Sequence, residues 1–259
     1  MNTHKILYAL GGLVAGCVIG FFFATSIDRK ELEELRGEVA RARSSAADGQ
    51  RAGTTPNAAA ANDPAATMPT DEEMRDLIAK ADANQKDAEY QRKVGQGVYM
   101  YALSTGKPAL LPEAVRLLKR AHEADPGNYE TTVLVGNSLF ALGQSSDSSR
   151  YAEARVYYNK ALAAKPEDTN VSTLLGMTYY FGQPSDPERA IKEYRKTLAA
   201  APRHEMALQS LASALIATGA LDEAQKRIEE LQTVNAANGA LSNLRAQLAQ
   251  TRNAAKEND

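Results

Sequence analysis

A small residue recurs along this chain at one fixed place in a two-helix pattern, and that recurrence constrains the fold more than any other feature. Gly95, Gly136, Gly176 and Ala212 are preceded by Val94, Val135, Leu175 and Leu211, and followed three positions on by Val98, Leu139, Tyr179 and Leu215. A second series, Ala114, Ala154, Ala190 and Ala224, is followed four positions on by Leu118, Tyr158, Tyr194 and Ile228. Apolar residues three and four apart mark amphipathic helices. Pro126, Pro166 and Pro202 stand ten residues before Gly136, Gly176 and Ala212, and Gln85 stands ten before Gly95. A helix pair that repeats in this way cannot bury its apolar face alone and has to stack on its neighbours.

The unit resembles the tetratricopeptide (TPR) repeat, and the resemblance spans Thr70–Arg252. It implies an all-α helix-turn-helix solenoid. Full repeats would begin at Ala88, Tyr129, Thr169 and Glu205. A capping helix over 70–83 would precede them and a second over 241–252 would follow. Thr70 before Asp71, Glu72 and Glu73 reads as a helix start, and Met74, Leu77, Ile78 and Ala81 form its apolar stripe. The chain departs from the family in having no tryptophan: Gln91, Thr132, Ser172 and Leu208 stand where one is common. Looser packing between repeats is expected there.

Composition agrees with a helical chain, being rich in Ala, Leu, Glu, Lys, Gln and Arg. A net charge of −2 gives no electrostatic footprint for nucleic acid. The single cysteine, Cys17, cannot form an intramolecular disulfide.

Ahead of the repeats, residues 1–5 form a short tail. Ile6–Ile27 is a 22-residue run without a charge. As a helix rising ~1.5 Å per residue it matches a hydrocarbon core ~30 Å thick, so a single transmembrane helix is expected. Gly12, Gly16 and Gly20 give it a small-residue face on which two copies of the chain can pair as a homo-oligomer. Leu13-Val-Ala-Gly-Cys17 resembles a lipoprotein processing box. The apolar continuation through Val18–Ala24 favours an uncleaved anchor instead, and leaves lipidation of Cys17 open. Arg29, Lys30, Arg36, Arg41 and Arg43 follow the run, which by the positive-inside rule keeps the bulk of the chain in the cytoplasm. The short N-terminal tail argues for a signal anchor that exports it. The expectation is a single-pass protein of the bacterial inner membrane with a periplasmic soluble domain. Residues 28–44 read as a short charged helix. Residues 45–69, rich in Ala, Gly, Thr, Asn and Pro, read as a flexible linker with a reach of about 25–30 Å.

The distances from Gly95 to Ala114, Gly136 to Ala154, Gly176 to Ala190 and Ala212 to Ala224 are 19, 18, 14 and 12 residues. The first three repeats therefore carry insertions, at Ser104–Pro112, Gly143–Arg150 and Gly182–Pro187. Asp186-Pro187 reads as a helix start.

In the TPR family the first helices line a concave groove. The positions that resemblance assigns to it carry Tyr99, Phe140, Tyr180 and Ile216 four after the small residue, and Gln96, Asn137 and Met177 one after. Arg92 lies three before; Met100 and Phe181 lie five after. The column is mostly apolar and aromatic, and an exposed apolar patch marks a binding surface. A peptide-binding groove for another protein is expected.

Catalytic signals are sparse. Of the three histidines, His4 lies in the tail, His122 takes a packing position of a second helix, and His204 lies in an inter-repeat turn. No metal or cofactor set is legible, and no enzyme activity is expected. Asp87–Gly95 with the helix before it also resembles the TPR module of c-type cytochrome biogenesis proteins, which implies a periplasmic domain that holds an apocytochrome. The reading that emerges is a membrane-anchored scaffold binding a protein or peptide in envelope assembly. The alternatives are a cytochrome c biogenesis factor and a structural anchor without a ligand.

Overall fold

The computed structural model describes residues 69–256, and every element among them is helical. The apolar run 6–27 with its glycine face and Cys17, the charged segment 28–44 and the linker up to residue 68 lie outside the described residues. So do residues 1–5 and 257–259. Among the described residues no helix is long and apolar enough to cross a membrane.

Two compact bodies make up the described chain, residues 69–127 and 128–256. The first holds α1 (Asp71–Ala83), α2 (Ala88–Ser104), a 3-10 turn at Pro108–Leu110, and α3 (Leu111–Ala124). α1 opens with a capping box. Thr70 Oγ1 accepts from Glu73 N at 3.2 Å, and Thr70 N donates to Glu73 Oε2 at 2.7 Å. Met74, Leu77 and Ala81 are its buried face. Polar clamps hold both of its ends. At the start, Lys107 Nζ bonds Asp71 Oδ1 at 2.5 Å and Tyr101 OH donates to the same carboxylate. At the end, Asp82 takes Arg116 and Arg120. α2 and α3 pack along their length around Val94, Val98, Leu117 and Leu118, all nearly inaccessible to solvent.

The second body holds α4 (Tyr129–Ser145), α5 (Arg150–Ala164), α6 (Thr169–Phe181), α7 (Pro187–Ala200), α8 (Glu205–Ala217), α9 (Leu221–Val234) and α10 (Leu241–Lys256). The hairpins α4–α5, α6–α7 and α8–α9 stack in sequence, with α5 on α6, α7 on α8 and α9 on α10. The first helices also touch, α4 against α6 and α6 against α8. Each first helix of the chain starts on a side-chain cap. Asp87, Asn128 and Asp168 each accept from the backbone N–H three residues on at 2.9 Å, and His204 Nδ1 accepts from Ala207 N at 3.2 Å. These caps satisfy donors that a helix N-terminus otherwise leaves orphaned.

The small residues make close helix pairing possible. Gly95 faces Leu118, Gly136 faces Tyr158 and Gly176 faces Tyr194, and an added Cβ would stand 2.8, 2.6 and 2.5 Å from those side chains. Their second-helix counterparts Ala114, Ala154, Ala190 and Ala224 are fully buried. Gly106 (φ 65°) and Gly219 (φ 79°) end α2 and α8 in the left-handed region. Lys107 N to Ala102 O and Ala220 N to Leu215 O, both 2.9 Å, complete the helix-ending turns that this conformation permits.

The positions without tryptophan are not gaps. Gln91, Thr132, Ser172 and Leu208 are all buried. Gln91 Nε2 donates to Ala81 O and to Asn84 O, tying the end of α1 to α2. Thr132 Oγ1 donates to Asn128 O at 2.9 Å, and Ser172 Oγ accepts from Thr197 Oγ1 at 3.0 Å. Hydrogen-bonded polar groups at three of these places and buried Leu208 at the fourth stand in for the indole, which corrects the expectation of loose packing there.

Candidate functional site

The residues assigned to the binding column divide between the two bodies, and each group stands by itself. On α2, Arg92 and Gln96 are half-buried and joined by an Arg92 Nη1 to Gln96 Oε1 bond of 3.2 Å. Met100 is half-buried. Tyr99 is only 8% exposed, and burial pushes its phenol far above the usual tyrosine range.

In the second body Asn137 is half-buried, and its Oδ1 accepts from Tyr158 OH at 3.0 Å. Phe140, Met177 and Ile216 are 4%, 0% and 7% exposed. Tyr180 and Phe181 are half-buried. The expectation of an open apolar column is therefore corrected. Its central apolar members are sealed because first helix packs on first helix. Among the described residues the exposed large apolar side chain is Val156, at 52%.

What the structure does gather is an aromatic cluster around the end of α6. Phe140 meets Tyr151 edge-on at 5.2 Å and Phe181 edge-on at 6.5 Å. Tyr151 and Phe181 stack at 6.2 Å with 29° between their planes, and Tyr180 stands edge-on to Phe181 at 5.0 Å. These separations are favourable for aromatic pairs. Burial raises the phenols of Tyr151 and Tyr180 above the ordinary range.

Beside the cluster, two guanidinium groups converge on one ring. Arg155 Cζ lies 4.7 Å and Arg189 Cζ 4.4 Å from the centroid of Tyr179, both within cation–π distance. Arg155 Nε also donates to Tyr151 O at 3.4 Å. The turn that follows α6 is fixed by Asp186, whose N–H donates to Tyr179 O at 2.9 Å and whose Oδ1 accepts from Arg189 N at 3.0 Å.

Sequence reasoning placed Phe140, Tyr180 and Phe181 in the column. It missed Tyr151 and Arg155 because they sit on a second helix, and Arg189 because it follows a helix start. The Tyr151-x-x-x-Arg155 spacing, one turn of helix, was the available signal. Among the described residues no group of three metal-ligating side chains gathers.

No curated protein sequence matches the chain. Residues 183–248 match the profile of the tetratricopeptide repeat family. Among solved structures, MamA aligns with a TM-score of 0.51 at 22% identity over 63% of this chain and 81% of that one. A double mutant of MamA from RS-1 aligns with a TM-score of 0.52 at 18% identity over 65% and 86%. TTC0263, a thermophilic TPR protein in Thermus thermophilus, aligns with a TM-score of 0.50 at 16% identity over 70% and 89%. At these identities the likeness concerns the fold. The described chain has the all-helical, TPR-like fold, with residues 183–248 identified as tetratricopeptide repeat sequence.

Proposed function

We propose that this chain is a membrane-anchored scaffold that takes up a segment of another protein against its first helices, with envelope assembly as its setting. The observation that carries the docking part is the aromatic end of α6. Tyr180 and Phe181 remain half-buried where their neighbours Met177 and Phe140 are sealed. Half-covered aromatic rings on a rigid support are favoured contact groups, because they lose little side-chain entropy on binding. TPR sequence and fold support a protein partner rather than a small substrate. The anchor rests on the uncharged run 6–27, and its glycines offer the route to a homo-oligomer.

The test places a photo-crosslinking amino acid at Phe181 in the full chain in its host. A discrete adduct with one other protein is expected from position 181 and not from Val156. Adducts of equal yield at both positions, or none at 181, overturn the docking reading.

Compartment is tested separately by reporters fused after Asp259. An external signal agrees with the exported domain and makes apocytochromes the first partners to try. An internal signal removes both the periplasmic assignment and the cytochrome c biogenesis alternative.

A further inference from the structure

We propose that Arg155 and Arg189, gathered on the ring of Tyr179, form a clamp for carboxylates, and that the docked partner segment is acidic. The proposal rests on the docking reading above and narrows the chemistry of its ligand. Several of the described arginines have a carboxylate. Arg116 and Arg120 take Asp82, Arg150 takes Asp147 and Glu153, Arg195 takes Glu223, Arg227 takes Glu230 and Arg252 takes Asp222. Arg155 and Arg189 instead share one aromatic ring, with no carboxylate within ion-pair distance among the described residues.

Two like charges drawn to one ring repel each other, and an anion between or beside them removes that cost. A guanidinium over a ring still has N–H donors for a carboxylate, which it meets in a paired, planar geometry, although Arg155 gives its Nε–H to Tyr151 O. Asp186, in the turn between α6 and α7, is committed to capping the start of α7. Gly182 lets Arg155 lie close against the turn after α6. A Cβ at that position would stand 3.0 Å from Arg155 Nη2. The Tyr151–Phe181 stack, reached through Arg155's bond to Tyr151 O, puts an apolar surface next to the charge. The complementary ligand therefore alternates acidic and apolar side chains.

The experiment uses the full chain in a non-ionic detergent and fluorescence anisotropy. The probe is a fluorescein-labelled ten-residue peptide of alternating glutamate and leucine; the control replaces glutamate by glutamine. Two solvent-screened charge pairs, each worth a factor of about 2–5, together give about tenfold. The R155Q/R189Q variant should bind the acidic probe about tenfold more weakly than the wild type, and raising the salt should narrow the gap. The single variant R189Q changes an exposed side chain, keeps the fold, and should lose about threefold. Equal binding of the acidic and glutamine peptides, equal binding by the double variant, or no binding by the wild type overturns the clamp. The crosslink at Phe181 separates the two ideas. If it persists in R155Q/R189Q, docking stands without the clamp; if it is absent in the wild type, docking itself fails.

Discussion

The ring of Tyr194 lies so close to Gly176 that a Cβ there would stand 2.5 Å from Tyr194 Cε1. Tyr194 is almost wholly buried and cannot swing away. Gly136 and Tyr158 repeat the arrangement one hairpin earlier, at 2.6 Å. Alanine in a helix interior is worth about 1 kcal/mol over glycine, but overpacking costs about 1–3 kcal/mol. Gly176→Ala and Gly136→Ala should therefore each destabilise the fold by about 1–2 kcal/mol, measured by urea denaturation. A gain in stability would show that the hairpins have slack.

Glycines elsewhere separate packing from conformation. Gly219 has nothing within 4 Å of its would-be Cβ, yet its φ is 79°. Gly219→Ala should cost about 1 kcal/mol from backbone strain alone. Gly239 has open space and no such φ. Gly239→Ala should be neutral or add about 0.5 kcal/mol by restricting the unfolded chain. The three thermal midpoints should rank Gly239→Ala above Gly219→Ala above Gly176→Ala.

His204 titrates against its own structural role. Its Nδ1 accepts from Ala207 N, and its Nε2 lies 3.0 Å from Asn170 Oδ1, so the cap requires the neutral ring with the proton on Nε2. Burial lowers its pKa from 6.5, opposed only partly by a backbone hydrogen bond and then by the charge of Asp168. The folded state thus binds fewer protons than the unfolded state just below pH 6.5, and stability rises with pH through that window. The contribution is complete above the unfolded pKa and is lost as pH falls through the lowered folded value. Losing the cap costs about 1 kcal/mol. His204→Asn, which caps without titrating, should flatten the stability curve between pH 5 and 7. Parallel curves for wild type and variant would refute the assignment.

Phe140 and Phe181 test the two halves of the aromatic cluster. Phe140, on α4, is 4% exposed and its ring is enclosed. Phe140→Ala should cost about 3–4 kcal/mol, the range for a buried phenylalanine. Phe181 is half-buried, so Phe181→Ala should cost less than half of that while weakening partner capture. Similar melting of the two variants would make Phe181 a core residue.

The all-helical, repeat-built fold was legible because its determinants are local. Three- and four-residue spacing writes the helices, and Gly136 and Gly176 announce where a large second-helix ring approaches. The site was legible only in part. Spacing put Phe140, Met177 and Ile216 on one stripe with Tyr180, but a stripe does not say how deeply neighbouring first helices cover it. Burial depends on the lateral packing of α4, α6 and α8, which no single repeat encodes. Arg155 and Arg189 were invisible for a related reason: their ring, Tyr179, belongs to the packed stripe, and the two cations reach it from the helices on either side.

The clamps on α1 give the last prediction. Asp82 receives Arg116 and Arg120, and the three side chains are 40%, 32% and 28% exposed. The bonds to Arg116 and then Arg120 hold the Asp82 carboxyl below its usual range. A depressed folded pKa means stability that is present above about pH 4 and lost as pH falls through the folded value. Solvent screening keeps the total near 1 kcal/mol even for a shared carboxylate. Asp82→Asn should release the end of α1, which Gln91 alone then holds through Ala81 O and Asn84 O. Amide exchange should rise in α1 and not in α2, with a loss of about 1 kcal/mol at low salt that shrinks in about 1 M NaCl. The Arg195–Glu223 pair, with side chains 55% and 36% exposed, serves as the control. Its neutralisation by Glu223→Gln should change stability by less than about 0.5 kcal/mol. If Asp82→Asn and Glu223→Gln have equal effects, the ion pairs at α1 are ornaments of the surface, and burial of Met74, Leu77 and Ala81 with the Gln91 bonds holds the helix.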